Sequence, residues 1–251
     1  MMDEVDYNTC NATFRSLTNQ QALMAGEVAS MIGGGVDLEL TSYGCGLGMF
    51  ELELIARVPR ETVWFQGMDT NGEAVARLRA ELAALPKVRG HRLFTASMAD
   101  VAARRIAPTE YGLFIQSLCY LGADDGMAAL KEARNRHRRV IVAVTPLNAL
   151  NAAFADSLAR QGILRPLFAE TLAEELRRFG LEFRSVSVDA EIVVPVSETR
   201  QRLLEFLVFA RHQPWRGRAD RAALLNAVAE LGTAEAGAIR IPHPVEVFTL
   251  G

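Results

Sequence analysis

The sequence predicts an α/β fold: a seven-stranded, mainly parallel sheet with helices on both faces. Three observations predict it. Short apolar runs alternate with segments whose apolar residues recur near every 3.6 positions, the mark of amphipathic helices. The first apolar run ends in a glycine turn, Ser42-Tyr43-Gly44-Cys45-Gly46-Leu47-Gly48, which opens into a helical pattern. A chain of 251 residues is also enough for one α/β unit with a large core.

The first thirty or so residues read as helical, with "TNQQALMAGEVASMI" (18–32) packing over one end, so 1–33 is expected as an N-terminal helical cap. The strand candidates are 36–43, 62–68, 92–96, 111–118, 139–145, 182–188 and 245–250. Helical patterns occupy 49–58, 72–85, 124–136 and 171–180, the last stopped by Gly180. One helix per connection is what parallel strands need. Between the sixth and seventh strands, 197–231 reads as two further helices joined by Pro214-Trp215. The span 197–240 is therefore expected as a helical insertion, a cap beside the site within a single domain over 1–251.

Composition excludes several classes. The chain is 50% hydrophobic and 23% charged with a formal net charge of −3, which gives no electrostatic preference for nucleic acid or an anionic membrane. The basic run 134–139 reads as the solvated end of a helix before a buried strand. No apolar run approaches the roughly 20 residues that span a bilayer. The acidic first ten residues lack the apolar core of a signal peptide. Cys10, Cys45 and Cys119 are odd in number and widely spaced, so neither a disulfide framework nor a metal site is expected, and a reducing cytoplasm is the default.

In open α/β sheets, ligands gather beyond the carboxyl ends of the strands, where strand order reverses. The glycine turn sits there. Its G-x-G-x-G spacing departs from the G-x-G-x-x-G of dinucleotide sites, and no Lys-Ser/Thr follows, so a pyrophosphate site is disfavoured. Asp69 ends the second strand about twenty residues on, where a carboxylate can take both hydroxyls of a ribose. Its alternative is an N-cap for the helix that follows, and the glycine turn beside it favours the ribose. After strand three comes the polar end "TASMADV" (95–101); after strand four, Gln116 and Ser117 stand amid apolar neighbours and need partners.

On these residues the chain resembles the class I S-adenosylmethionine (SAM)-dependent methyltransferases, and within them the histamine N-methyltransferase branch. That branch also places Ser where the glycine motif usually has an acid, here Ser42, and has a similar strand-four stretch, here "IQSLCY" (115–120). The likeness extends over "FAETLAEELRRFGLEF" (168–183) and the insertion before the last strand. It implies a Rossmann-like fold with SAM as co-substrate. Ser42 would belong to the cofactor motif, Gly44, Cys45 and Gly46 would face the methionine part of SAM, and Asp69 would hold the ribose. Thr70 would lie against the adenosine, Ser97 and Met98 near the adenine, and Gln116 and Ser117 on the floor between cofactor and substrate.

The substrate side departs from the branch. Cys119-Tyr120 replaces two adjacent tyrosines, Leu150 and Phe154 replace two tryptophans, and the acid that grips the amine falls at Ala25, with Glu27 nearby. Histamine is therefore not the expected acceptor. Tyr7, Phe14, Tyr120, Phe154 and Trp215 are candidate pocket aromatics, each also readable as core. Cys45 has no histidine near it in sequence and is not read as a nucleophile. None of His91, His137, His212 and His243 stands in a catalytic signature, so no catalytic residue is assigned.

Three functions suit these residues. The first is methyl transfer to a small molecule, an amine or heteroaromatic nitrogen of specialised metabolism. The second uses SAM alone: its amine displaces the sulfonium at the γ-carbon, giving azetidine-2-carboxylate and methylthioadenosine. The third is SAM binding without turnover. The segment 6–14 is placed to close as a lid over the cofactor.

Overall fold

A strand whose odd and even residues are all apolar must be covered on both faces, and the fold follows from that requirement. The chain is seen in a computed structural model that describes residues 15–103, 106–148, 162–195, 232–235 and 237–251. Its main sheet contains β1 (Gly35–Tyr43), β2 (Arg60–Asp69), β3 (Val88–Thr95), β4 (Tyr111–Ile115), β5 (Arg139–Val144) and β6 (Arg184–Val188), closed by β10 (Val245–Leu250). The spatial order is β3-β2-β1-β4-β5-β10-β6. The β3, β2, β1, β4 and β5 pairings are parallel, and β10 runs antiparallel to both β5 and β6. Chain order reverses between β1 and β4, which opens the ligand crevice of such sheets beyond their carboxyl ends.

In β5, Ile141 and Ala143 face one layer while Val140, Val142 and Val144 face the other. The first layer holds α1 (Gln20–Ile32), α2 (Met49–Arg57) and α3 (Gly72–Ala84), with Met24, Val28, Leu54, Leu78 and Leu82 buried on the sheet. The second holds α4 (Ala123–Arg136) and α5 (Ala169–Arg178), with Met127, Leu130, Leu172 and Leu176 buried. All seven expected strands are present. Strand four ends earlier than the sequence suggests, at Ile115, because Gln116 adopts φ 55° and turns the chain.

A second sheet was not foreseen. β7 (Glu191–Pro195), β8 (Thr233–Glu235) and β9 (Ala238–Pro242) form an antiparallel sheet of order β7-β9-β8. The expected helical insertion 197–240 is thereby corrected at its end, where residues 233–235 and 238–240 are strand. Residues 196–231 lie outside the described residues, as do 1–14 with the proposed lid. The N-terminal cap also differs in part: ahead of α1, Leu17 O accepts from Val193 N–H (2.8 Å) and Thr18 bridges Ile192, so the chain joins the edge of β7 before turning helical.

A buried polar chain crosses the sheet below the crevice. Gln66 Nε2 donates to Thr41 Oγ1 (3.0 Å), which meets Thr109 Oγ1 (2.9 Å), which meets His137 Nδ1 (2.8 Å). His137 Nδ1 also lies 3.2 Å from the Thr109 N–H, and its Nε2 meets Tyr43 Oη at 2.7 Å, so both ring nitrogens are engaged. Burial pulls His137 down to about 4, keeping it neutral. The unfolded imidazole, near 6.5, binds a proton that the folded one refuses until about pH 4. Stability from this group is therefore complete above about pH 6.5 and falls as pH drops toward 4, at a limiting slope of about 1.4 kcal/mol per pH unit. Denaturant melts at pH 7, 6 and 5 should show that loss in the wild type and a flatter profile in His137→Gln.

Candidate functional site

The site begins where β1 ends. The N–H groups of Gly44 and Cys45 both donate to Met68 O, at 2.8 and 3.0 Å, pinning the turn to the end of β2. Gly44, Gly46 and Gly48 hold φ of 75°, 51° and 71°, a region open to glycine and strained for other residues. A Cβ on Gly44 would lie 2.6 Å from Ser117 Cβ and 2.9 Å from Met98 Cε. Three expected site segments, those after β1, β3 and β4, therefore meet at one glycine. At Gly46 a Cβ would find, among the described residues, only Asp69 Oδ2, at 4.0 Å.

Asp69 faces the turn. Its Oδ2 accepts from Gly46 N–H (2.8 Å) and its Oδ1 from Asn71 N–H (2.9 Å). The capping of α3 falls instead to Asn71, whose side chain accepts from Ala74 N–H at 3.0 Å. Thr70 follows, exposed, and Asp69 O accepts from Ala96 N–H (2.9 Å), drawing the end of β3 alongside. Ser97 accepts from Ala99 N–H (3.1 Å) and opens the short 3-10 turn Met98–Ala103, with Ser97 and Met98 half-buried.

Gln116 and Ser117 carry the unmet demand of the site. Gln116 N–H donates to Ala143 O (2.8 Å), which holds the strained residue in place. Its buried Nε2, and the buried Oγ of Ser117, have no hydrogen-bond partner among the described residues. Each such group costs about 1–3 kcal/mol unless something supplies the partner.

Ser42 lies beneath the turn, fully buried, and its hydroxyl donates to Glu51 Oε1 at 2.6 Å. Glu51, in the first turn of α2, is a functional candidate that the sequence reading missed. Burial raises its carboxyl to about 7 against the pull of the Ser42 hydrogen bond; Arg15 also lowers it, and Asp69 raises it. A signal was available: Glu51, Leu54 and Ile55 share the i, i+3, i+4 stripe of "MFELELIAR", which puts an acid on the buried face. Burial first, then Glu51 and Asp69, push the Cys45 thiol well up, so it is neutral and no nucleophile.

The other candidates divide. Tyr120 sits in the turn Leu118–Tyr120 and packs half-buried against Cys119 and Phe168, as core does. Tyr7, Phe14, Leu150, Phe154 and Trp215 lie outside the described residues. Ala25 is fully buried in α1, with Glu27 half-buried on the same helix. His243 links the second sheet to α1: its N–H donates to Ala190 O (2.7 Å) and its carbonyl accepts from Gln20 Nε2 (3.4 Å). Among the described residues no His/Cys/Asp/Glu group could hold a metal ion, and no helix is long and apolar enough to cross a membrane.

No family model and no curated protein matches the chain. Solved structures do. A cyclopropane-fatty-acyl-phospholipid synthase-like protein from Lactobacillus casei ATCC 334 matches with a TM-score of 0.61 at 14% identity, over 92% of this chain and 90% of that one. Magnesium protoporphyrin IX methyltransferase (ChlM) from Synechocystis PCC 6803, solved with bound SAH, matches with a TM-score of 0.53 at 11% identity, over 100% and 88%. The fold is a methyltransferase fold. The cyclase SpnF has it too, with a TM-score of 0.52 at 19% identity over 91% and 80%, so the architecture serves more than one reaction.

The glycines separate strain from crowding. Gly46→Ala should cost about 1 kcal/mol, from backbone strain alone. Gly44→Ala should cost roughly 2–4 kcal/mol, because its methyl also drives into Ser117 and Met98. Urea denaturation of the two variants measures the difference.

Proposed function

We propose that the chain is an enzyme that binds S-adenosyl-L-methionine at the glycine turn and transfers its methyl group to a small molecule, at an amine or heteroaromatic nitrogen. The observation that carries this reading is the pair of buried polar atoms on adjacent residues after β4, Gln116 Nε2 and Ser117 Oγ, which have no hydrogen-bond partner among the described residues, with Ser117 against Gly44. Such atoms at the carboxyl ends of the strands ask for a polar ligand. Asp69 keeps lone pairs free of its two backbone bonds for ribose hydroxyls. Gly44, Cys45 and Gly46 take the amino-acid part, Thr70 the adenosine, and Ser97 and Met98 the adenine edge. Gln116 and Ser117 form the floor towards the acceptor. The finer resemblance to the histamine N-methyltransferase branch rests on Ser42 and on 115–120.

When bound, the sulfonium supplies an already activated methyl group. The chain's own residues then have to align a nucleophile, hold it there and exclude water. A neutral amine brings its own lone pair and needs no base. This accords with the neutral, buried Cys45 and with a neutral His137 tied to Tyr43 and Thr109.

One observation favours the second reading, ring closure of SAM to azetidine-2-carboxylate. Where an acid would grip an amine acceptor, Ala25 is sealed in the core. Incubation with SAM and no acceptor, followed by mass spectrometry, separates the readings. Methylthioadenosine with an equivalent four-carbon amino acid establishes cyclisation. S-adenosylhomocysteine, appearing only when small amines or nitrogen heterocycles are added, establishes methyl transfer. SAM bound and unconsumed under every condition leaves a binding protein. In calorimetric titrations, Asp69→Ala should weaken SAM binding by roughly 1–3 kcal/mol, and an unchanged affinity removes Asp69 from the ribose.

A further inference from the structure

The glycine turn lacks an acid at position 42, and the next helix returns one. Glu51 reaches under the turn from α2, takes the Ser42 hydroxyl at 2.6 Å, and is 3% exposed. It lies within electrostatic reach of Asp69 and of Cys45. Among the described residues, a carboxylate buried there is balanced by the Ser42 hydroxyl, its own helix N-terminus and Arg15. We propose that Glu51 is a positioning residue that gives up its proton when a cationic ligand occupies the turn, so that the site distinguishes the sulfonium of SAM from the neutral thioether of S-adenosylhomocysteine. The proposal rests on the SAM reading above.

The surroundings fit a group held near its point of ionisation. Burial opposes the charge, and so does Asp69 on β2. The Ser42 hydroxyl on β1, the Glu51 backbone and Arg15, ahead of α1, favour it. The first turn of α2 favours it too, since the positive end of the helix dipole lies there. α1, which packs on α2, carries Glu27 as its single charged residue. On α2 itself, Glu53 and Arg57 pair with each other on the outer face. The balance is set to about 7, so one added positive charge nearby tips it. The exchange conserves charge: the neutral acid and the cation become an ion pair, and one proton leaves to solvent. The thioether ligand keeps its ammonium and loses the sulfonium charge, so it should expel less of the proton.

The test is calorimetry of SAM and of S-adenosylhomocysteine binding between pH 6 and 8, in buffers of differing ionisation enthalpy, which counts protons released. Glu51→Gln is neutral, nearly isosteric, and still accepts from Ser42; its profile carries only the ligand's own titration. Wild-type affinity for SAM should rise across this range by about tenfold more than that of Glu51→Gln. Proton release at pH 7 should be larger with SAM than with S-adenosylhomocysteine and absent from the Glu51→Gln difference. Ser42→Ala, which removes the stabilising hydrogen bond, should move the inflection to higher pH. Identical pH profiles in wild type and Glu51→Gln, or equal release with both ligands, would overturn the proposal while SAM binding stands. No SAM binding by the wild type at any pH would overturn the functional reading and this inference together.

Discussion

Two successive N–H groups, those of Gly44 and Cys45, converge on one carbonyl oxygen, that of Met68, and the site depends on that convergence. It draws the turn after β1 sideways onto the end of β2, which a strand leaving its sheet would not do by itself. Gly46 is then brought to the Asp69 carboxylate, and Gly44 is left so close to Ser117 and Met98 that a methyl group would not fit. Parallel pairing alone sets β1 beside β2 and β4. The bifurcated bond converts that adjacency into a three-sided crevice.

Below the crevice the polar groups are satisfied, and at its floor they are not. Gln66, Thr41, Thr109, His137 and Tyr43 hand hydrogen bonds to one another across the sheet, and Tyr43 stacks on Phe114 at 4.5 Å between ring centres. A buried network of this kind rigidifies what it joins when each member is paired. Its last member immediately precedes Gly44, so the turn is anchored from beneath as well as from the side. Gln116 and Ser117 lie one strand away in an equally buried setting and find nothing. Among the described residues, these two adjacent polar groups at the end of β4 are buried without a partner, while the network one strand away is paired.

Much of this was legible in the sequence. β5 and β10 are apolar on both faces, so their periodicity announces a sheet covered twice, and the glycines mark the turn because L side chains avoid φ near 70°. Polar Gln116 and Ser117 after an apolar run signal a need for partners in the sequence itself. The second sheet was not legible, because β7 pairs with β9 and with Leu17–Asn19, segments far from it in the chain, and short strands ending in Pro195 and Pro242 carry little local pattern. Asp69 was legible both as a ribose ligand and as a cap, and the cap falls instead to Asn71, which the sequence reading did not single out. Glu51 was missed for another reason: an acid in a helix is ordinarily solvated, and only its alignment with Leu54 and Ile55 shows that this one is not.

The donors of the turn decide which kind of nucleotide it suits. A phosphate cradle needs backbone N–H groups aimed outward at the anion. Here the N–H groups of Gly44 and Cys45 are held by Met68 O, that of Gly46 by Asp69 Oδ2, and that of Gly48 by Cys45 O. Four donors are therefore turned inward, and two acids, Asp69 and Glu51, lie at the same turn. An anion would meet the Asp69 carboxylate and no free donor from these four glycine-turn residues, whereas a cation would meet an acceptor. The G-x-G-x-G spacing thus has a physical meaning beyond its departure from the dinucleotide pattern: a turn folded onto its own acceptors offers a pyrophosphate fewer donors than an open phosphate cradle does.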